Sequence, residues 1–223
     1  MSIGRRQRRG RPRSACARAL GALAAAVLLA AIAPAAFAEG LDLRGRVTLS
    51  IPGVALRDLG PVVVYLERLD GPPSPPPNAS ELRIVQQGAR FSPGFLIVSR
   101  GQAVDMPNAD AIYHNVFSFS KPNDFDLGLY PAGESRTTRF EHAGLVKIYC
   151  SIHESMNATI LVAPEPHHAL IGAAGRFTIE DVPPGRYRLS VWCERLPGTS
   201  MEIVLAAGNA DPFVDVQWAP LAN

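Results

Sequence analysis

From about residue 41 onward the chain is written in short runs of alternating apolar and polar residues. The runs are 46–51, 61–69, 82–87, 96–100, 103–106, 115–119, 136–140, 146–150, 159–162, 176–180, 187–193, 201–205 and 213–218, and Gly, Pro, Asn and Asp punctuate them. A period of two is that of a half-buried strand, and turn residues at this spacing are those of sandwiches. No apolar period of 3.6 is sustained; at most 121–125 could hold a helical turn. The fold class this predicts is all-β.

The first 38 residues follow different rules. Residues 1–18 hold seven Arg and no acid, 19–36 are almost wholly apolar, and Ala36-Phe37-Ala38 has the small-x-small form of a cleavage site. This is the pattern of a secretory signal peptide cleaved after Ala38, with an uncleaved N-terminal anchor as the alternative. No later apolar run is long enough to span a bilayer. The whole chain has 22 basic and 20 acidic residues; without the leader's seven Arg, 15 basic residues stand against 20 acidic ones, a net of −5. Nothing in a mildly acidic chain calls for nucleic acid. Cys16 belongs to the leader, which leaves Cys150 and Cys193. In an oxidising compartment the bland reading of two cysteines is a disulfide. The alternation of 187–193 instead puts Cys193 on the face of Tyr187, Leu189 and Val191, as a small buried hydrophobe.

One stretch carries chemistry. Tyr149-Cys150-Ser151-Ile152-His153-Glu154-Ser155-Met156 sets a thiol, an imidazole and a thioether at three-residue steps behind a strand, and Tyr113-His114-Asn115-Val116 offers a second imidazole beside another. One Cys and two His in a plane with a distant Met is the ligand set of a mononuclear type 1 copper site. Zinc is the rival, but it prefers a thiolate, nitrogen or oxygen as fourth ligand, so Met156 argues for copper. His142 sits in a turn and His167-His168 in a linker, and all three read as solvated. Adjacent residues of an extended chain point to opposite sides, so the last pair cannot easily chelate one ion. Tyr149 and Phe117 read as core aromatics. Two stretches, 71–78 and 163–168, are rich in Pro and read as linkers bracketing 79–163. No Gly-x-Ser-x-Gly, phosphate loop or second His cluster is present, so catalysis has little support.

Residues 81–163 resemble the cupredoxins, most closely amicyanin and plastocyanin. The likeness lies in Phe91-Ser92-Pro93, Leu96, Val98, Gly101, Val104, Pro107-Asn108, Asp110, His114-Asn115-Val116, Phe140, Gly144 and Tyr149-Cys150. Cys-x-x-His-x-x-Met is the short loop of amicyanin, which has Pro where this chain has Glu154. The resemblance implies a Greek-key β-sandwich and one type 1 copper held by His114, Cys150, His153 and Met156. It implies that the Asn115 side chain ties the His114 strand to the loop, with its backbone N–H facing the Cys150 sulfur. His153 would then pass the electron at the surface, with Ile112, Tyr113 and Ile152 as apolar surround. A redox partner, a dehydrogenase or cytochrome, would dock there. The whole arrangement is similar to proteins labelled methylamine utilization protein.

A second likeness lies outside that segment. Gly175-Arg176-Phe177-Thr178-Ile179 with Val182-Pro183-Pro184-Gly185-Arg186-Tyr187-Arg188-Leu189 resembles the carboxypeptidase regulatory-like, or prealbumin-like, β-sandwich. Gly45-Arg46-Val47 and Gly60-Pro61-Val62 have the form of that family's opening. Residues 41–70 and 172–218 are thus expected to form one smaller Ig-like or prealbumin-like sandwich with 79–163 inserted. Neither half alone has strands enough to close a core. Three readings stand open: an exported, periplasmic electron carrier that is not an enzyme; a copper-handling protein; and a metal-free structural module with a disulfide.

Overall fold

The computed structural model describes residues 40–77, 82–172, 174–209 and 212–219. The expected signal peptide and cleavage after Ala38 lie outside the described residues, as does the end of the first Pro-rich stretch. The described chain is all-β apart from one 3-10 turn at Leu56–Leu59. In chain order the strands are β1 (Leu41–Leu49), β2 (Val62–Arg68), β3 (Val85–Gln86), β4 (Phe91–Ser92), β5 (Phe95–Ser99), β6 (Ala103–Pro107), β7 (His114–Ser118) and β8 (Phe125–Tyr130). There follow β9 (Ser135–Arg139), β10 (Gly144–Tyr149), β11 (Asn157–Ala163), β12 (His168–Leu170), β13 (Arg176–Val182), β14 (Gly185–Cys193), β15 (Thr199–Leu205) and β16 (Phe213–Trp218). Among the described residues no helix is long and apolar enough to cross a membrane.

The alternation of the sequence becomes two separate apolar cores. One lies between the sheets β13-β1-β16 and β12-β2-β14-β15, and holds Leu43, Val64, Leu66, Tyr187, Leu189, Cys193 and Trp218. The first of these sheets draws strands from both ends of the described chain: β1 runs antiparallel to β13 and parallel to β16. The other core lies under the five-stranded sheet β5-β11-β10-β7-β8. Facing it, β6 pairs with β9 and β3 with β4, and isolated bridges Arg83↔Asp105 and Gln86↔Asn108 link the two pairs. Ile84, Val104, Val116, Tyr130, Phe140 and Ile148 fill this core, and Cys150 and Met156 belong to it. Against the first core, β14 lies antiparallel to β2 over its length, which seats Cys193 opposite Val62.

Four local expectations change. Residues 121–125 form a turn and the first residue of β8, not a helical turn. The stretch 163–168 is not a solvated linker. Glu165 and His167 are buried, the Glu165 carboxylate accepts from the Ser74 N–H at 2.7 Å, and the His167 ring lies 3.4 Å from the Ser74 hydroxyl. The two Pro-rich stretches are therefore fastened to each other. Burial lowers the pKa of both His167 and His168, so neither is a water-exposed histidine. Phe117 and Tyr149 are surface aromatics: Phe117 stands 5.2 Å from Phe119 and 5.9 Å from Tyr149, centroid to centroid, on the outer side of the five-stranded sheet. Elsewhere on that sheet Phe95 stacks on Trp192 at 5.7 Å, and Lys147 pairs with Glu194.

Candidate metal centre

His114 opens β7 and is fully buried. The turn before it is built by Asn108, whose amide donates to the Ile112 and Tyr130 carbonyls at 2.8 and 3.1 Å. Its side-chain oxygen accepts from the Asp110 N–H at 3.0 Å. This aims the Asp110 carboxylate at the His114 ring, where Oδ2 lies 2.8 Å from Nε2. The same carboxylate accepts from the N–H groups of Gly88 and Ala89, which sit in a left-handed turn at φ 63° and 50°. The Ala89 N–H, helped by that of Gly88 and by the His114 ring, holds the Asp110 carboxyl below its usual range although burial works against them. An ionised acceptor on Nε2 assigns the ring proton to that atom. The Nδ1 lone pair is left facing Cys150, whose sulfur is 3.8 Å away.

Cys150 follows β10, and the loop from Cys150 to Met156 returns the chain into β11. It is closed by the Cys150 N–H to the Met156 carbonyl at 3.2 Å and the Met156 N–H to the His153 carbonyl at 2.9 Å. Directly behind it Tyr149 and Asn157 face each other in the β10–β11 ladder. Asn115 fixes the loop from the side, its Oδ1 accepting from the Ser151 N–H at 2.8 Å and the Ser151 hydroxyl at 2.9 Å. The two strands that carry donors are thereby joined through side chain and backbone.

The loop brings His153 over His114, with ring centroids 5.0 Å apart and planes at 60°. One nitrogen from each ring and the Cys150 sulfur lie within 4.8 Å of one another. Met156 is buried in the same core as Cys150. The sequence-derived His114, Cys150 and His153 thus converge, and Met156 lies in the core beneath the same loop. His153 is half-buried, but its Nδ1 is buried with no hydrogen-bond partner. A buried imidazole nitrogen without a partner costs free energy unless something occupies its lone pair. Two imidazoles, a thiol and a thioether are the soft and borderline donors that copper takes. The residues fit that ion.

Cys150 and Cys193 are both free and buried in different cores, so no disulfide joins them. His142 is exposed, and neither it nor the pair at 167–168 reaches the centre. Ile112, Tyr113 and Ile152 are each about half exposed. Asp110 is the residue that sequence reasoning placed in a motif without giving it a task. Its spacing of four residues before His114 was the available signal.

No family model matches the chain, and no curated protein matches it. Among solved structures it is similar to a purple cupredoxin from Nitrosopumilus maritimus, at 25% identity and a TM-score of 0.34, over 37% of this chain and 100% of that one. It is similar to a reduced mutant of amicyanin at 19% identity and a TM-score of 0.35, over 37% of this chain and 81% of that one. A Cu(I) mutant of amicyanin is 18% identical with a TM-score of 0.36, over 39% of this chain and 86% of that one. The likeness is one of fold, over that share of the chain.

Proposed function

We propose that the chain is an exported, periplasmic type 1 copper protein that carries one electron between partner proteins and catalyses no reaction of its own. The observation that carries this reading is the convergence of His114, Cys150 and His153 donor atoms within 4.8 Å, with the His153 Nδ1 otherwise unpartnered. Copper, when bound, supplies a one-electron couple whose two oxidation states are both tolerated by mixed nitrogen and sulfur ligation. His114, Cys150 and His153 would hold it, with Met156 as the weak further donor.

The rest is done by the chain. The ionised Asp110 keeps the His114 proton on Nε2 and its lone pair free. Asn115 holds Ser151, and with it the loop, at a fixed distance from β7. Both donor strands belong to one packed sheet, so the donors have little room to rearrange when charge changes. His153 is the half-exposed member, and Ile112, Tyr113 and Ile152 offer an apolar surround for a partner such as a dehydrogenase or cytochrome. Such contacts are small and exchange quickly. On this reading 79–163 is the metal-binding module, and the sandwich outside it serves structure or docking.

The test is stopped-flow or voltammetric cycling of the purified copper form. Reversible one-electron exchange with the metal retained in both states supports a carrier. Loss of copper on reduction means a copper-handling protein, and the carrier reading is then dropped.

A further inference from the structure

The two sandwiches meet through the outer faces of two sheets. On one, Phe95 and Thr159 lie side by side in the β5–β11 ladder, with Leu161 two residues along the same face. Lys147 lies opposite Thr159 in the β10–β11 ladder. On the other, Trp192 of β14 sits directly opposite Val63 of β2. Val63 and Leu161 are buried yet belong to neither core, so the junction is closed where they lie. Beside them it is open. Pro61, Gly94, Phe95, Thr159, Trp192 and Glu194 line a cavity there of about 310 Å³.

Packed interfaces fill such space with side chains. Ligand pockets favour domain junctions, hold about 300–1,000 Å³, and join apolar walls to a few polar groups. This cavity has that make-up. Phe95 and Trp192, stacked at 5.7 Å with planes 11° apart, form an aromatic wall that Pro61 extends. The polar wall is one connected set: Lys147 donates to the Thr159 hydroxyl at 2.7 Å and pairs with Glu194. Glu194 is the one charged residue of the lining, and Lys147 offsets it. Because the Thr159 oxygen accepts from Lys147, its proton is left to donate. Lys147 takes Oε1 of Glu194, and Oε2 has no donor among the described residues. The Trp192 indole N–H likewise has no partner among them, whereas that of Trp218 donates to the Pro197 carbonyl at 3.0 Å.

We propose that this cavity binds a neutral sugar of one or two rings. A charged ligand would gain a counter-charge only by breaking the Lys147–Glu194 pair. A hydrocarbon would cover Glu194 and Thr159 without giving them partners, which costs free energy. A sugar ring meets both walls. Its flat C–H face suits the Phe95 and Trp192 rings. Its hydroxyls can donate to Glu194 and accept from Thr159 and the Trp192 N–H. A volume near the lower end for ligand pockets limits the guest to one or two rings. None of His114, Cys150 and His153 lines the cavity, so this inference stands independently of the copper reading.

The experiment is titration of the full mature chain with cellobiose and with N,N′-diacetylchitobiose, read by calorimetry and by tryptophan emission. Saturable one-site binding of at least one of them is expected, with a change in emission from Trp192. Trp218 is fully buried and gives a constant background. Glu194→Gln should weaken binding roughly tenfold or more through loss of a charge-assisted hydrogen bond, and Trp192→Leu should abolish it. Glu194 is exposed and its ion pair is of the surface kind, so Glu194→Gln should melt with the parent and its lost binding will not reflect lost folding. That variant decides the matter if Trp192→Leu fails to fold. Binding of neither sugar, undiminished binding in either folded variant, or a stronger response to tetramethylammonium or acetate than to both sugars overturns the proposal.

Discussion

The Asp110 carboxylate stands 2.8 Å from Nε2 of His114, four residues further along the chain, and its other bonds are to the N–H groups of a turn between β3 and β4. One ionised group therefore ties a loop of the smaller layer to a buried donor of the larger one. Asp110→Asn removes the charge and leaves an amide of similar shape. Loss of a partner of this kind typically weakens metal affinity by about 10–100-fold. Competition with a chelator should show a fall of that order, with the far-ultraviolet spectrum unchanged. Unaltered affinity would mean that Asp110 serves the turn alone.

The two thiols should separate cleanly. Cys150→Ser should abolish the intense visible absorption expected of a copper–thiolate bond. Cys193→Ala should keep it and cost about 1 kcal/mol of stability, as an average core truncation does. Cys193 lies among Tyr187, Leu189 and Val191 in the other core, so a spectral change in its variant would contradict the site described here.

Acid should act on the neck between the two Pro-rich stretches. His167 has its pKa lowered, first by burial, so the folded state binds the proton less readily than the unfolded chain. Stability from the neutral ring is therefore full above the ordinary histidine value of 6.5 and is lost as pH falls below it. Glu165 and Asp181 oppose the shift and Arg68 adds to it. Urea denaturation at pH 7.5 and 5.5 should show a smaller loss for His167→Gln than for the parent. An equal loss in both would place the acid sensitivity elsewhere.

What could be read from sequence was whatever lay in alternation or in spacing along the chain. Runs such as 187–193 and 213–218 became strands because their inward positions are large and apolar without interruption. β8 escaped because Phe125-Asp126-Leu127-Gly128-Leu129-Tyr130 breaks the pattern. Gly128 takes a φ of +66°, its N–H bonds the Asp126 side chain at 2.8 Å, and the pairing with β7 slips between Asn115 and Phe117. Cys150, His153 and Met156 were legible because three-residue steps on one loop are a local property. The task of Asp110 was not, since it depends on how Asn108 folds the turn before β7. The burial of His167 was hidden by its prolines. They mark an extended chain, but extended chain can also be the edge of a sheet, and His168 indeed faces Tyr65 of β2.

Met156 has two roles that substitution can separate. It is 1% exposed and packs in the core with Cys150, Ile148 and Ala158, so its side chain fills space as well as offering sulfur. Met156→Leu keeps the volume and removes the sulfur, and swaps of that kind usually cost under about 1.5 kcal/mol. Met156→Ala removes both and should cost about 2–5 kcal/mol, since the packed core can close only part of the cavity. If the thioether is a weak donor to copper held by His114, Cys150 and His153, both variants should still bind the metal and remain coloured. Both should shift the visible bands and the midpoint potential together, because that ligand tunes the couple without carrying the plane. If Met156 is only a core residue, the leucine variant should match the parent in spectrum and potential, and the alanine variant should differ in stability alone. Equilibrium denaturation beside voltammetry on the two variants decides between them, and a leucine variant with an unshifted potential removes Met156 from the ligand set.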